Sequence, residues 1–157
     1  MGFVLLVFLA WLVLVLFTSM NKKLTFIENT FVYLSAMVIN INYTWIVYEE
    51  LNMADISQQI LNNSAFLIHR SITLPITLAI TLNLVRTGDS LASKFIKMTV
   101  SVAFLVSAVM IAGYFEIVDY KKWNIGYEII YLFLLHLVVQ FLLKYFGQLK
   151  TRGVNEA

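Results

Sequence analysis

An all-α integral membrane bundle of five transmembrane helices is the fold class this sequence predicts, and three observations carry it. Of the 157 residues, 61% are hydrophobic and 13% charged, against roughly 45–50% and about 25% in soluble domains. Uncharged or nearly uncharged runs of the length a helix needs to cross the hydrocarbon core, about 20 residues, recur along the chain. The basic residues fall between those runs in an alternating pattern. No Pro-rich, Ser-rich or charged linker divides residues 1–157, so a single transmembrane domain is expected.

The first span is residues 2–20, which carry no charge. A cleavable signal has its positive charge ahead of the apolar segment, whereas Lys22 and Lys23 follow this one. A retained helix is therefore predicted. Span two covers residues 26–48, opened by Thr25-Phe26-Ile27-Glu28, the spacing of a capping box, and closed by Glu49 and Glu50. The loop 51–63 places Met53, Ile56 and Ile60 at helical spacing, which predicts a short helix on the membrane surface.

Span three is residues 65–86, with Asn62, Asn63 and Ser64 as capping candidates and Gly88 as its stop. Asp89 and Ser90 start the fourth helix, whose apolar part is residues 95–115. Ala103 with Ser107, and Ala108 with Ala112, give it small-x-x-x-small spacings suited to close helix packing. Asn124 is placed to cap span five, residues 125–146, which Gly147 is expected to end.

Lys and Arg are retained on the cytoplasmic side of short loops. Lys22, Lys23, Arg86, Lys94, Lys97, Lys144, Lys150 and Arg152 fall on one side, against Arg70, Lys121 and Lys122 on the other. This predicts an external N-terminus and a cytoplasmic C-terminus. Trp45, Tyr48, Tyr114, Tyr120, Trp123 and Tyr127 lie at predicted outer ends, as an interfacial aromatic belt requires.

Ionisable groups within spans are functional candidates because hydrocarbon disfavours them. Arg70 and Glu128 both lie about one turn below the outer face by helical rise. They are expected to pair, with Glu49 or Glu50 as alternative acids. Deeper, counting turns brings Asn40, Thr77 and His136 to a similar depth. With Gln140 one turn beyond His136, they predict a polar seam between spans two, three and five. Pro75 interrupts the Thr73, Thr77, Thr81 ridge and frees a carbonyl one turn earlier.

Several chemistries are disfavoured. The chain has no cysteine, which removes thiolate metal sites and thiol nucleophiles. His69 and His136 differ in depth by roughly 12 Å along the helical rise, too much to share one haem iron. Glu49-Glu50 begins the EExxxR pattern of membrane proteases of the CAAX-processing type, but position 54 is Ala. No GxSxG or HExxH is present. No enzymatic activity, cofactor or metal is expected, and the small net charge without a basic stripe argues against nucleic acid.

What remains is a small membrane protein with a structural, accessory or assembly role. It is expected in a cell membrane, by residue usage a bacterial one, and is expected to pair with itself or with a larger membrane protein. The alternative is a channel or transporter subunit that uses the polar seam. Small multidrug exporters are similar in size only, since they have four spans and often insert both ways.

Overall fold

The computed structural model describes residues 1–85 and 90–155, with side chains through residue 149. Arg86, Gly88 and Asp89, invoked for the end of span three and the start of span four, lie outside the described residues, as do the side chains of Lys150 and Arg152. Among the described residues, five helical stretches are long and apolar enough to cross a membrane: Gly2–Ser19, Phe26–Glu50, Ile60–Val85, Leu91–Tyr114 and Ile125–Leu149.

α1 (Gly2–Ser19) is apolar on every side and buries only the stripe Gly2, Leu6, Ala10 and Val13. Gly2 is required by close approach, because a Cβ there would stand 2.6 Å from the Cβ of Phe115. α2 (Phe26–Trp45) begins with the expected capping box: the Thr25 hydroxyl accepts from the Glu28 amide, and the Glu28 carboxylate accepts from the Thr25 amide at 2.8 Å. Its last turn widens into a π-helical segment, Ile46–Glu50.

The next loop is a correction to the sequence reading. In place of a surface helix, β1 (Ala54–Ile56) pairs antiparallel with β2 (Val118–Tyr120) in the register Ala54↔Tyr120, Asp55↔Asp119, Ile56↔Val118. The two loops meet at one end of the bundle, and their backbone amides satisfy each other there; the Met53 carbonyl alone accepts from the amides of Lys121, Lys122 and Trp123. Asn52 and Glu116, at φ 48° and 53°, supply the left-handed turns that lead into the strands. Opposed aspartates repel across a strand pair, and the Lys121 ammonium sits on Asp55 to offset this. The Asp55 carboxylate in turn holds the Lys121 pKa above its ordinary value.

α3 (Ile60–Ile68) starts five residues before the expected Ala65 and receives no side-chain cap from Gln59. Asn62 does not cap it and instead donates toward Ser57 Oγ at 3.3 Å and Gln59 Oε1 at 3.4 Å. A π-helical segment, His69–Thr73, joins α3 to α4 (Leu74–Val85). α5 (Leu91–Tyr114) is capped by Ser90, whose Oγ accepts from the Ser93 amide at 3.1 Å. Asn124 caps α6 (Ile125–Asn155) as expected, its Oδ1 accepting from the Gly126 amide at 2.9 Å. Gly147 does not end that helix. A glycine terminates a helix by turning left-handed, and no described glycine has positive φ.

α2, α4, α5 and α6 form a ring in which each helix packs on its two neighbours, with α1 outside against α3, α4 and α5. The ring closes over Val32, Ala36, Leu78, Leu105, Leu132, Leu135 and Val139. A second apolar cluster at the strand end gathers Leu6, Ala54, Ala65, Phe66, Ala108, Ala112 and Ile117. Of the two small-residue pairs on α5, Ala108 and Ala112 are thus used for packing, whereas Ala103 and Ser107 face outward.

Candidate functional site: a polar cavity at the strand end

The site is organised by Pro75. Proline has no amide proton, so the carbonyl four residues back loses its donor; in a π turn the carbonyl five residues back loses its donor as well. Those are Ser71 and Arg70, and α2 satisfies both. Tyr33 Oη donates to the Ser71 carbonyl at 2.9 Å, and Asn40 Nδ2 to the Arg70 carbonyl at 3.2 Å. The wide turn is thereby pinned, and it carries His69 and Arg70 to the wall of a cavity.

From Asn40 the hydrogen bonds continue onto α6. Tyr131 Oη donates to Asn40 Oδ1 at 2.8 Å. The Tyr131 ring stacks face to face on Tyr43, with centroids 3.4 Å apart. Tyr43 Oη donates to Glu128 Oε2 at 2.8 Å, and Trp123 Nε1 donates to the same oxygen at 3.0 Å. The Glu128 carboxylate, 8% exposed, is thus held by two neutral donors.

A cavity of about 40 Å³ lies between these groups, walled among others by Asn40, Tyr48, His69, Arg70, Tyr120 and Glu128. One water needs roughly 10–15 Å³ of such space, so it admits a few water-sized groups. Through Thr44, Tyr48 and Arg70 it adjoins a second hollow of about 240 Å³ that includes Glu49. Tyr48, Glu49 and Ile56 link that hollow to a third, of about 440 Å³, beside β1. Three buried polar atoms on this wide turn have no hydrogen-bond partner among the described residues: His69 Nδ1, Arg70 Nε and Thr73 Oγ1. Tyr120, in β2 on the cavity wall, has its phenol pKa pushed up by burial.

Arg70 and Glu128 therefore share a cavity wall, yet they form no direct ion pair, and neither Glu49 nor Glu50 takes the place of Glu128. Tyr43 and Trp123 both donate to one oxygen of that carboxylate, Oε2, and Arg70 meets Glu128 only as a fellow wall residue of the cavity.

The four seam residues are not brought together. Asn40 belongs to the strand-end network. Thr77 turns its hydroxyl back to the Thr73 carbonyl at 2.6 Å, as Thr81 does to Thr77 at 2.8 Å. His136 is fully buried and bonds to Ser101 Oγ on α5 at 2.9 Å and to the Leu132 carbonyl at 2.7 Å. Gln140 is half-buried, with no side-chain hydrogen bond among the described residues.

Sequence reasoning missed Tyr43, Tyr131 and Ser101. The two tyrosines were legible as i,i+3 neighbours of Asn40 and Glu128 on one helix face; Ser101 has no local signal. It also missed a second polar cluster at the opposite end. Asn83 Oδ1 there accepts from the Lys23 and Leu24 amides, each at 2.9 Å. Its Nδ2 donates to Asn29 Oδ1 at 2.7 Å, and Asn29 Nδ2 donates to the Leu24 carbonyl at 2.9 Å.

Among the described residues no three or more His, Asp or Glu side chains converge on a metal position. No protein-family model matches this chain, and no curated protein or solved structure does either.

Proposed function

We propose that this chain is a multi-pass protein of a bacterial cell membrane, with the strand end outside, the C-terminus in the cytoplasm, and a non-enzymatic accessory or assembly role alongside a second copy or a larger membrane protein. Five apolar helices with bulky apolar side chains turned outward, such as Phe8, Trp11, Val38, Met110 and Phe141, support the membrane reading. The excess of basic residues at the end opposite the strands supports the orientation.

One observation carries the choice of role. Below the strand-end cavity the ring is filled by fully buried Leu78, Leu105, Leu132, Leu135 and His136, with His136 sealed against Ser101. A polar hollow that stops at a fully packed layer suits holding something at one face better than conducting it through. The second reading, a channel or transporter subunit, is favoured only by the unpartnered His69 and Arg70 atoms on the wide turn.

Cysteines placed at Asn63 and Asn155 test the topology. An impermeant thiol reagent on intact cells is expected to label the first and spare the second; equal or reversed labelling overturns the orientation. To separate the two roles, ion and solute flux is measured in reconstituted vesicles for the native chain and for His136→Leu. No flux in either supports the accessory role, and a flux that the substitution abolishes assigns the channel.

A further inference from the structure

α1 and α2 both pack on α4 but scarcely touch each other. Between them, at the end opposite the strands, lies an open groove of about 490 Å³, within the roughly 300–1,000 Å³ range of small-molecule sites. Ala79 and Ile76 of α4 form its floor, Phe17 of α1 one side, and Phe26 and Tyr33 of α2 the other, with Lys22 at its mouth. The polar groups along it are largely occupied. Tyr33 Oη donates to the Ser71 carbonyl, Thr30 Oγ1 to the Phe26 carbonyl, and Asn29 Nδ2 to the Leu24 carbonyl. What the groove offers a guest is therefore apolar surface, except at Lys22.

We infer that this groove binds one anionic phospholipid, an acyl chain lying against Ala79 and Ile76 and the headgroup meeting Lys22 and its neighbour Lys23. Length and charge support it. Asn83 marks the level of Lys23 through its bond to the Lys23 amide, and Ile76 lies seven residues earlier on the same helix, so the groove runs roughly 10 Å along the bilayer normal. That is the upper part of one leaflet of a hydrocarbon core about 30 Å thick. Lys22 and Lys23 are both exposed, with Lys22 Nζ 4.9 Å from the Phe17 ring centroid. A basic pair above an apolar slot between spanning helices matches an acidic headgroup carrying an acyl chain.

The inference rests on the membrane reading, and the experiment keeps their failures apart. The full chain is reconstituted into vesicles of mixed phosphatidylglycerol and phosphatidylcholine, tested for co-flotation, then extracted and its retained lipids counted by native mass spectrometry. The expected result is one phosphatidylglycerol retained in preference to phosphatidylcholine, with Lys22→Gln reducing that retention about fivefold, the effect of one basic residue near an anionic headgroup. Lys22 is exposed, so its replacement leaves the core intact. Lys144→Gln, at the same end but on α6, where Phe146 stacks on Phe31 of α2, is expected to change nothing. Equal retention of the two lipids, or an equal fall in the Lys22 and Lys144 variants, overturns the site. Failure to float with vesicles overturns the membrane reading itself.

Discussion

At the end of the bundle where α1 turns into α2, Asn83 uses both side-chain atoms: it accepts from two loop amides and donates to Asn29, which donates in turn to the loop carbonyls. At the strand end, Tyr131 bonded to Asn40 and Tyr43 bonded to Glu128 are joined by their stacked rings, but the wide turn beside them leaves His69, Arg70 and Thr73 each with a buried atom unpartnered among the described residues. In the first cluster every side-chain polar atom of Asn83 and Asn29 has a partner. The second is bonded on the α6 side and unsatisfied on the α4 side. Low-dielectric surroundings strengthen a satisfied network and penalise an open one, so the first region reads as a structural pin and the second as the place where the fold keeps polar capacity in reserve.

The largest effect that would break this contrast is at the pin. Asn83→Ala strands the Lys23 and Leu24 amides and one side of Asn29, and is expected to destabilise the protein by about 2–3 kcal/mol, read by thermal or denaturant unfolding in detergent. A loss no greater than that of an ordinary surface change would show that the closed cluster is dispensable.

At the cavity the expected effect is smaller and conditional. Glu128→Gln keeps the shape and removes the charge facing Arg70, with an expected loss of about 1–2 kcal/mol. In a double-mutant cycle that loss should shrink by at least about 0.5 kcal/mol when Arg70 is already Gln. Strict additivity would mean that the two groups do not sense each other across the cavity.

The smallest effect sharpens the account of the wide turn. Tyr33→Phe removes the donor to the Ser71 carbonyl and is expected to cost about 1 kcal/mol. In a Pro75→Ala background the new amide can serve that carbonyl, so the same change should cost little. An equal penalty in both backgrounds would separate Tyr33 from the proline.

Much of the architecture is local and was legible for that reason. The capping box at Thr25, the caps at Ser90 and Asn124 and the apolar run lengths are spacings within a few residues, and each produced its helix. The expectation that Pro75 frees a carbonyl also rested on local geometry, and the Tyr33–Ser71 bond answers it. Gly147 misled because a glycine stops a helix only where the chain is made to turn, and nothing turns it there.

Local spacing thus settles which segments are helical, how apolar they are and where most of them begin. Which polar groups meet depends on how the helices pack. β1 exists because two loops share one end of the bundle; the apolar–Asp–apolar alternation in each is only three residues long, too short to mark a strand by itself, and each loop satisfies the other's backbone. Helical rise counted from each end fixes neither rotation about the axis nor the vertical offset between helices, so Asn40, reckoned to be level with His136, met Tyr131, five residues from His136 on the same helix, while His136 bonded Ser101. The expected Arg70–Glu128 ion pair is not formed although depth brought both residues to one cavity wall, because the side-chain directions set by helix rotation aim Tyr43, and not Arg70, at the carboxylate.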